Sequence, residues 1–253
     1  MAKKHEPIMN KLGLVGKQIS YSFSNSYFKQ KFEDLKITDT TYQNFDLDNI
    51  SEFPLIFTNH PEVKGLNVTI PYKEQVIPFL DKLDKKAKKI GAVNTIKVTK
   101  KGKLIGSNTD YYGFKKSIEP YLKPYHNHAL ILGTGGASKA IAFALKKLKI
   151  KFKYVSRSPK NDQTISYDAL TSDVMDTYKV IINCSPVGTF PNVEDCPNIP
   201  YQLLTDEHLL FDLIYNPSET TFLRKGREQK ATTLNGLKML VYQAEKAWKI
   251  WNL

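Results

Sequence analysis

The chain has 253 residues, 41% of them hydrophobic, and a formal net charge of +12. That length suits one large or two medium domains, and no apolar run reaches the ~20 residues that span a bilayer. Two cysteines and five histidines fall in no CxxC or metal-ligand spacing, so neither a metal site nor a disulfide framework is expected.

The start of the chain, residues 1–11, is polar and lacks the apolar segment of a secretory signal, so a cytoplasmic protein is expected. Residues 11–15 read as a strand and 16–19 as a loop. Ser22-Phe23-Ser24 precedes a helically spaced run over 26–32, with Ser24 a suitable N-cap. Residues 41–45 alternate like a strand, and Ser51 opens a short helix with Pro54 in its first turn. Residues 65–70 are β-rich; Pro71 and then Tyr72-Lys73-Glu74 signal the end of the strand and a helix start. Lys73 thereby falls at the C-terminal end of a strand, where α/β proteins bind ligands and where a lysine is also commonly just exposed. Residues 84–90 form a lysine-rich helix stopped by Gly91. Residues 92–98 and 103–106 pair as a hairpin through Lys100-Lys101-Gly102. Asp110 is placed to cap the helix that runs toward Leu122, and residues 123–127, with His126 at their end and His128 just beyond, read as a linker.

The second half begins with a strand at 130–132, a glycine turn, and a strong helix former over 140–145. Gly133 permits a tight turn, Gly135 lets backbone approach a phosphate, and the helix start offers N–H groups to an anion. Ser138 stands where this fingerprint usually has Gly or Ala, and a glycine turn before a helix is often only a connection. Further βα units follow: strands at 152–155, 180–183 and 209–215, a helix at 220–228, a short strand at 231–234, and a long helix from Gly236.

The cofactor type is decided where the second strand of this half ends. NAD sites place Asp or Glu there to take a ribose hydroxyl. This chain has Ser156-Arg157-Ser158, with Lys160 close by, which suits a 2′-phosphate. NADP(H) rather than NAD(H) is expected. The dispersed lysines, as in Lys85-Lys86 and Lys146-Lys147, read as solvated helix faces, so neither nucleic acid nor membrane is expected as a partner. The positive field favours anionic small molecules.

Five motifs in order carry a family resemblance: Gly65-Leu66-Asn67-Val68-Thr69-Ile70-Pro71-Tyr72-Lys73-Glu74, Gly91-Ala92-Val93-Asn94-Thr95, Asn108-Thr109-Asp110, Gly133-Thr134-Gly135-Gly136-Ala137-Ser138, and the run from Asn235 to Ala244. On these the chain resembles shikimate dehydrogenase from about Leu12 to the C-terminus. The resemblance implies an α/β protein of two domains: a substrate-binding and catalytic domain of residues 1–110 plus 236–253, and a Rossmann-like NADP-binding domain of 111–235, with a cleft between them. The implied reaction is the reversible NADPH-dependent reduction of 3-dehydroshikimate to shikimate in chorismate biosynthesis, by a monomer or homodimer.

By the same resemblance, Lys73 and Asp110 are the catalytic pair, Asp110 positioning the lysine. Ser22 and Ser24 would bind the substrate carboxylate. Thr69, Lys73, Asn94, Asp110, Tyr215 and Gln243 would complete the substrate pocket. Gly133, Thr134, Gly135, Gly136, Ala137, Ser156, Arg157, Ser158, Ile214 and Gly236 would bind the cofactor, with no metal. The chain departs from the family at Tyr21 and Asn25, where His and Pro are usual beside the paired serines. It departs again at 184–188, where only Gly188 of the usual pattern is kept. A shikimate/quinate dehydrogenase of broader specificity and a non-catalytic NADP-binding protein are the alternative readings.

Overall fold

The computed structural model describes residues 10–19, 22–159 and 161–252. Tyr21, Lys160 and the polar residues 1–9 lie outside the described residues. The chain divides into two compact units: unit 1, Met1–Thr109 with Ala244–Leu253, and unit 2, Asp110–Gln243. The return to unit 1 falls inside the last helix, later than residue 236.

Unit 1 is built on a six-stranded mixed sheet. Strand β1 (Asn10–Gly16) runs parallel to β2 (Thr40–Asp46) on one side and β3 (Val63–Val68) on the other. The two-residue β4 (Lys82–Leu83) is the far edge, parallel to β6 (Leu104–Ser107). Between β3 and β6 lies β5 (Thr95–Val98), antiparallel to both. Alternation along the strands sorts the core into two layers. Leu12 and Leu14 face helix α1 (Phe23–Asp34) and the end of the last helix, among Phe28, Phe32, Tyr42 and Trp251. Val15, Leu66, Val68 and Ile96 face the other way, toward Phe53 and Ile56 of α2 (Phe53–Asn59) and Ala87 of α3 (Lys85–Ile90).

Two local expectations are corrected. Ser22, not Ser24, caps α1: its backbone is extended at φ −138° and its oxygen accepts the Asn25 N–H, whereas Ser24 falls in the first turn and is buried. No helix starts at residues 72–74, which lie in a run of turns. The buried Tyr72 sends its hydroxyl to the Leu47 carbonyl at 2.7 Å, and the Lys73 carbonyl takes the Val93 N–H at 2.7 Å. These ties hold the segment to its neighbours instead of to its own next turn.

Unit 2 opens with α4 (Asp110–Ile118), whose first turn holds Asp110 itself. It continues through β7 (His128–Leu132), α5 (Gly136–Lys147), β8 (Lys151–Val155), β9 (Thr164–Ile165) and α6 (Ser172–Thr177). Then come β10 (Val180–Asn183), β11 (Leu209–Asp212), α7 (Thr221–Glu228), β12 (Thr232–Leu234) and α8 (Leu237–Trp251). The sheet order is β12-β11-β10-β7-β8-β9, all parallel. Its three central strands are buried along nearly their whole length, as a parallel sheet covered on both faces requires. Strand β11 stops at Asp212 rather than running on to Tyr215, and β9 and α6 arise in polar stretches where no element is expected.

The end of the last helix closes unit 1, with Trp248 on Phe28 and Phe32 and Trp251 on the sheet. Trp251 Nε1 donates to the Ile96 carbonyl at 2.9 Å, and the indole lies directly on the Cα of Gly65 in β3. Any β-carbon at 65 would meet the indole ring. Gly65→Ala is therefore expected to destabilise the protein by about 1–3 kcal/mol, the usual cost of overpacking. Denaturant unfolding checks this; an unchanged midpoint would show that the indole has room to retreat.

Candidate functional site

In unit 1 the sequence-selected residues gather at one end of the sheet. Ser22 follows β1, Thr69 follows β3, and Asn94 immediately precedes β5, which runs the opposite way. Register fixes the neighbours: Asn44, Leu14, Asn67, Thr95 and Ser107 form one row across the five strands. The Thr69 N–H donates to the Val15 carbonyl at 2.9 Å, and the Thr69 side chain lies over Gly16. Lys73 stands half-buried on the turns after β3, its carbonyl tied beside Asn94 through Val93. Asn94 is 3% exposed; its Oδ1 accepts the Thr109 N–H at 2.6 Å and its Nδ2 meets Thr109 Oγ1 at 3.0 Å. Sequence reasoning passed over Tyr42, Asn67 and Thr95. Tyr42 donates to Asn67 Oδ1 at 2.9 Å, and Asn67 Nδ2 donates to the Asn94 carbonyl at 3.2 Å. A polar side chain inside an otherwise apolar strand, as Asn67 is in β3, was the available signal.

In unit 2 the order of the strands places the crossing point between β7 and β10, where the chain winds in opposite directions and open α/β sheets bind ligands. The glycine turn follows β7 there. Gly133 is left-handed at φ +103°, and a β-carbon on it would press on the backbone of Cys184 and Ser185 in the turn after β10. Gly135 precedes α5 with open space at its Cα. Helix α5 has no side-chain cap and no acid in its first turn. Its positive end, bounded by exposed Thr134 and Gly135 and by half-buried Gly136 and Ala137, thus fits a pyrophosphate. Ser138 in the third fingerprint position is buried, its hydroxyl donated to the Gly135 carbonyl at 2.7 Å, so the turn accommodates the larger residue.

After β8, Ser156 is half-buried and Arg157 and Ser158 are exposed. Residues 156–159 contain no carboxylate, and the Ser158 N–H turns back to Ser156 Oγ at 3.2 Å. This loop fits a phosphate on the ribose better than a bare hydroxyl. On the other side of β10, Gly236 donates its N–H to the Ile214 carbonyl at 3.0 Å, with Leu213 so close that no β-carbon fits at 236. Tyr215 is half-buried beside Ile214. Asp110 is 4% exposed in the first turn of α4, and Gln243 packs against Gly113 of that same helix, with Nε2 on the Leu240 carbonyl at 3.0 Å.

A second set of residues missed by sequence reasoning holds these loops together. Asn183, at the end of β10, accepts from the Ser185 N–H at 3.0 Å and the Ser185 hydroxyl at 2.7 Å. Its Nδ2 donates to Asp212 Oδ1 at 3.0 Å. Asp212 also accepts from the Ile214 N–H at 3.0 Å and, through Oδ2, from Thr220 Oγ1 at 2.7 Å. Burial pushes its carboxyl up to about 6, against the pull of those three hydrogen bonds. Among the described residues no group of His, Cys, Asp and Glu could hold a metal ion, and no helix is long and apolar enough to cross a membrane.

Asp212 gives a signed pH dependence. Its folded pKa lies above the unfolded value of about 3.9, so the folded state holds the extra proton between roughly pH 4 and 6. Its favourable contribution is complete below about pH 4 and is lost as pH rises through about 6, a change of about 3 kcal/mol. Asp212→Asn keeps an oxygen for Asn183 and Ile214 and offers its amide to the Thr220 hydroxyl. Unfolding free energies of wild type and variant from pH 4 to 7 should diverge in the variant's favour as pH rises. Parallel profiles would contradict the assignment.

A model of the family "Shikimate dehydrogenase substrate binding domain" matches residues 14–96. The shikimate dehydrogenase (NADP(+)) of Methanococcus vannielii is 35% identical over 260 residues, covering 95% of this chain and 90% of that protein. The crystal structure of shikimate dehydrogenase 1 from Peptoclostridium difficile superposes with a TM-score of 0.84 at 38% identity, over 96% of this chain and 92% of that one. Shikimate 5-dehydrogenase of Thermus thermophilus, solved in complex with NADP(H) and shikimate, gives 0.83 at 27% identity, over 96% and 93%. The identity runs through both units and nearly the full length of each relative, and on that footing this chain belongs to the shikimate dehydrogenase family.

Proposed function

We propose that the chain catalyses the reversible NADPH-dependent reduction of 3-dehydroshikimate to shikimate, a step of aromatic amino acid biosynthesis, in the cytoplasm and as a monomer or homodimer. The observation that carries this reading is the convergence of Ser22, Ser24, Thr69, Lys73 and Asn94 at one end of the unit 1 sheet. Those groups supply what a polyhydroxylated ring acid demands: hydroxyls for a carboxylate, an amide and a threonine for ring hydroxyls, and an ammonium for the reacting oxygen.

The residues then have distinct tasks. Ser22 and Ser24 take the carboxylate. Thr69, Asn94, Tyr215 and Gln243 hold the ring oxygens. Lys73 faces the carbonyl oxygen; as charge builds there its ammonium stabilises the developing alkoxide and donates a proton, and in the reverse direction the amine takes it back. Asp110 is the second catalytic group and accepts a hydroxyl of the ring. In unit 2 the amides of residues 133–137 hold the pyrophosphate, Ser156, Arg157 and Ser158 the 2′-phosphate, and Ile214 and Gly236 present backbone to the rest of the cofactor. NADPH, when bound, supplies the hydride.

Nicotinamide absorbance with shikimate and NADP tests the reading directly, and absence of turnover refutes it. Lys73→Ala should lower kcat by about 10²-fold or more with a modest change in the KM for shikimate. Near-normal turnover would remove Lys73 from the chemistry. Arg157→Ala should raise the KM for NADP by about tenfold while leaving that for NAD nearly unchanged, as expected for a lost charge-assisted contact to phosphate. Equal losses with both cofactors would place Arg157 elsewhere.

A further inference from the structure

The cap serine of α1, Ser22, is held from behind by the edge strand β2. Ser22 Oγ accepts the Asn25 N–H at 3.2 Å and donates to Asn44 Oδ1 at 3.2 Å. The other end of the Asn44 amide, Nδ2, donates to the Ile19 carbonyl at 2.6 Å. One side chain of β2 thus grips both Ile19, beyond the end of β1, and the cap of α1.

A hydroxyl has a single proton. With that of Ser22 on Asn44, the serine oxygen shows an incoming carboxylate only lone pairs, which repel it. Binding an anion there requires an exchange in which Ser22 turns its proton outward and Asn44 Oδ1 receives another donor. That donor is at hand: Asn25 Nδ2 lies 3.5 Å from Asn44 Oδ1, at the outer limit of a hydrogen bond. Proline, usual in the family at this position, has neither the N–H that meets Ser22 nor an amide to fill the gap.

We propose that Asn44 is a positioning residue for carboxylate recognition, holding the Ser22 proton in the free protein and releasing it to the substrate as Asn25 takes its place. The proposal rests on the reading of this end of unit 1 as the shikimate site. Its effect is confined to the carboxylate, so a neutral ester of the same ring acid is the control.

The test is steady-state kinetics with shikimate and with its methyl ester, for wild type, Asn44→Ala, Ser22→Ala, the double variant and Asn25→Ala. Asn44→Ala frees the Ser22 proton but also releases the Ile19 carbonyl and the cap that place the hydroxyl, so the aimed hydrogen bond to the carboxylate is lost and the KM for shikimate should rise about tenfold, the scale of one hydrogen bond to a charged group. The kcat, the KM for NADP and the KM for the ester should change less than about twofold. The double variant should be no worse than Ser22→Ala alone, since Asn44 acts through Ser22. Asn25→Ala, at a half-buried position in the first helical turn, should raise the KM for shikimate about threefold and leave the ester untouched. It decides the matter should Asn44→Ala fail to fold. Equal losses on acid and ester, multiplying effects in the double variant, or an inert Asn25→Ala would each overturn the proposal while wild-type turnover left the functional reading standing. A wild type that turns over neither acid nor ester defeats both.

Discussion

A buried amide has to find partners, and unit 1 is organised around one that does. Asn94 takes the Val68 N–H on its carbonyl at 2.9 Å and sends its own N–H to the Ser107 carbonyl at 3.1 Å. Its side chain takes the Thr109 N–H and the Thr95 hydroxyl. Strand β3, strand β5 and the chain leaving β6 therefore meet at one residue. Leaving such a group unpaired costs about 1–3 kcal/mol. Among the described residues no buried side-chain nitrogen or oxygen lacks a partner. A network of this kind forms completely or not at all, and it fixes the strand ends from which Thr69 and Lys73 project.

The same device recurs in unit 2 with a carboxylate in it. Asn183 governs the turn after β10, Asp212 the turn after β11, and the bond between them locks the two turns together. Thr220, which caps α7, hangs on the other carboxylate oxygen. The glycine turn after β7 then rests on the backbone that Asn183 holds. Asn183 and Asp212 thus set the shape of the turns after β7, β10 and β11. Neutral donors satisfy the carboxylate's geometry without supplying the countercharge that would make its burial easy.

Much of this was legible in the sequence. Strands β1, β2, β3, β7, β8 and β10 announce themselves by apolar or alternating runs, and Gly91 stops α3 as its sequence signals, while Asp84, read as the helix's first residue, proves to be its cap. The Gly133 turn was legible because a left-handed residue at that place calls for glycine, whereas Lys73 stood out only through the family resemblance. What escaped was tertiary. Residues 72–74 have helical neighbours in sequence but hydrogen-bond partners at Leu47 and Val93. The cap of α1 fell to Ser22 because the local backbone is extended there, and either serine has the right chemistry. Asn44, Asn67, Asn183 and Asp212 gain their meaning only from strand register, which no single segment encodes.

Unit 1 is discontinuous, and its core closes only with residues from the end of the chain: Trp248 and Trp251 pack on Phe28, and Trp251 seals β3 at Gly65. Unit 2 is one uninterrupted stretch. On the ribosome, the nucleotide-binding half can therefore mature as soon as it emerges, while the ring-acid half, although made first, must wait with an open apolar face until Trp248 and Trp251 have followed. A stop codon between residues 244 and 248 would leave the stretch of unit 2 whole and yet open the core of unit 1, most of which is encoded upstream of it.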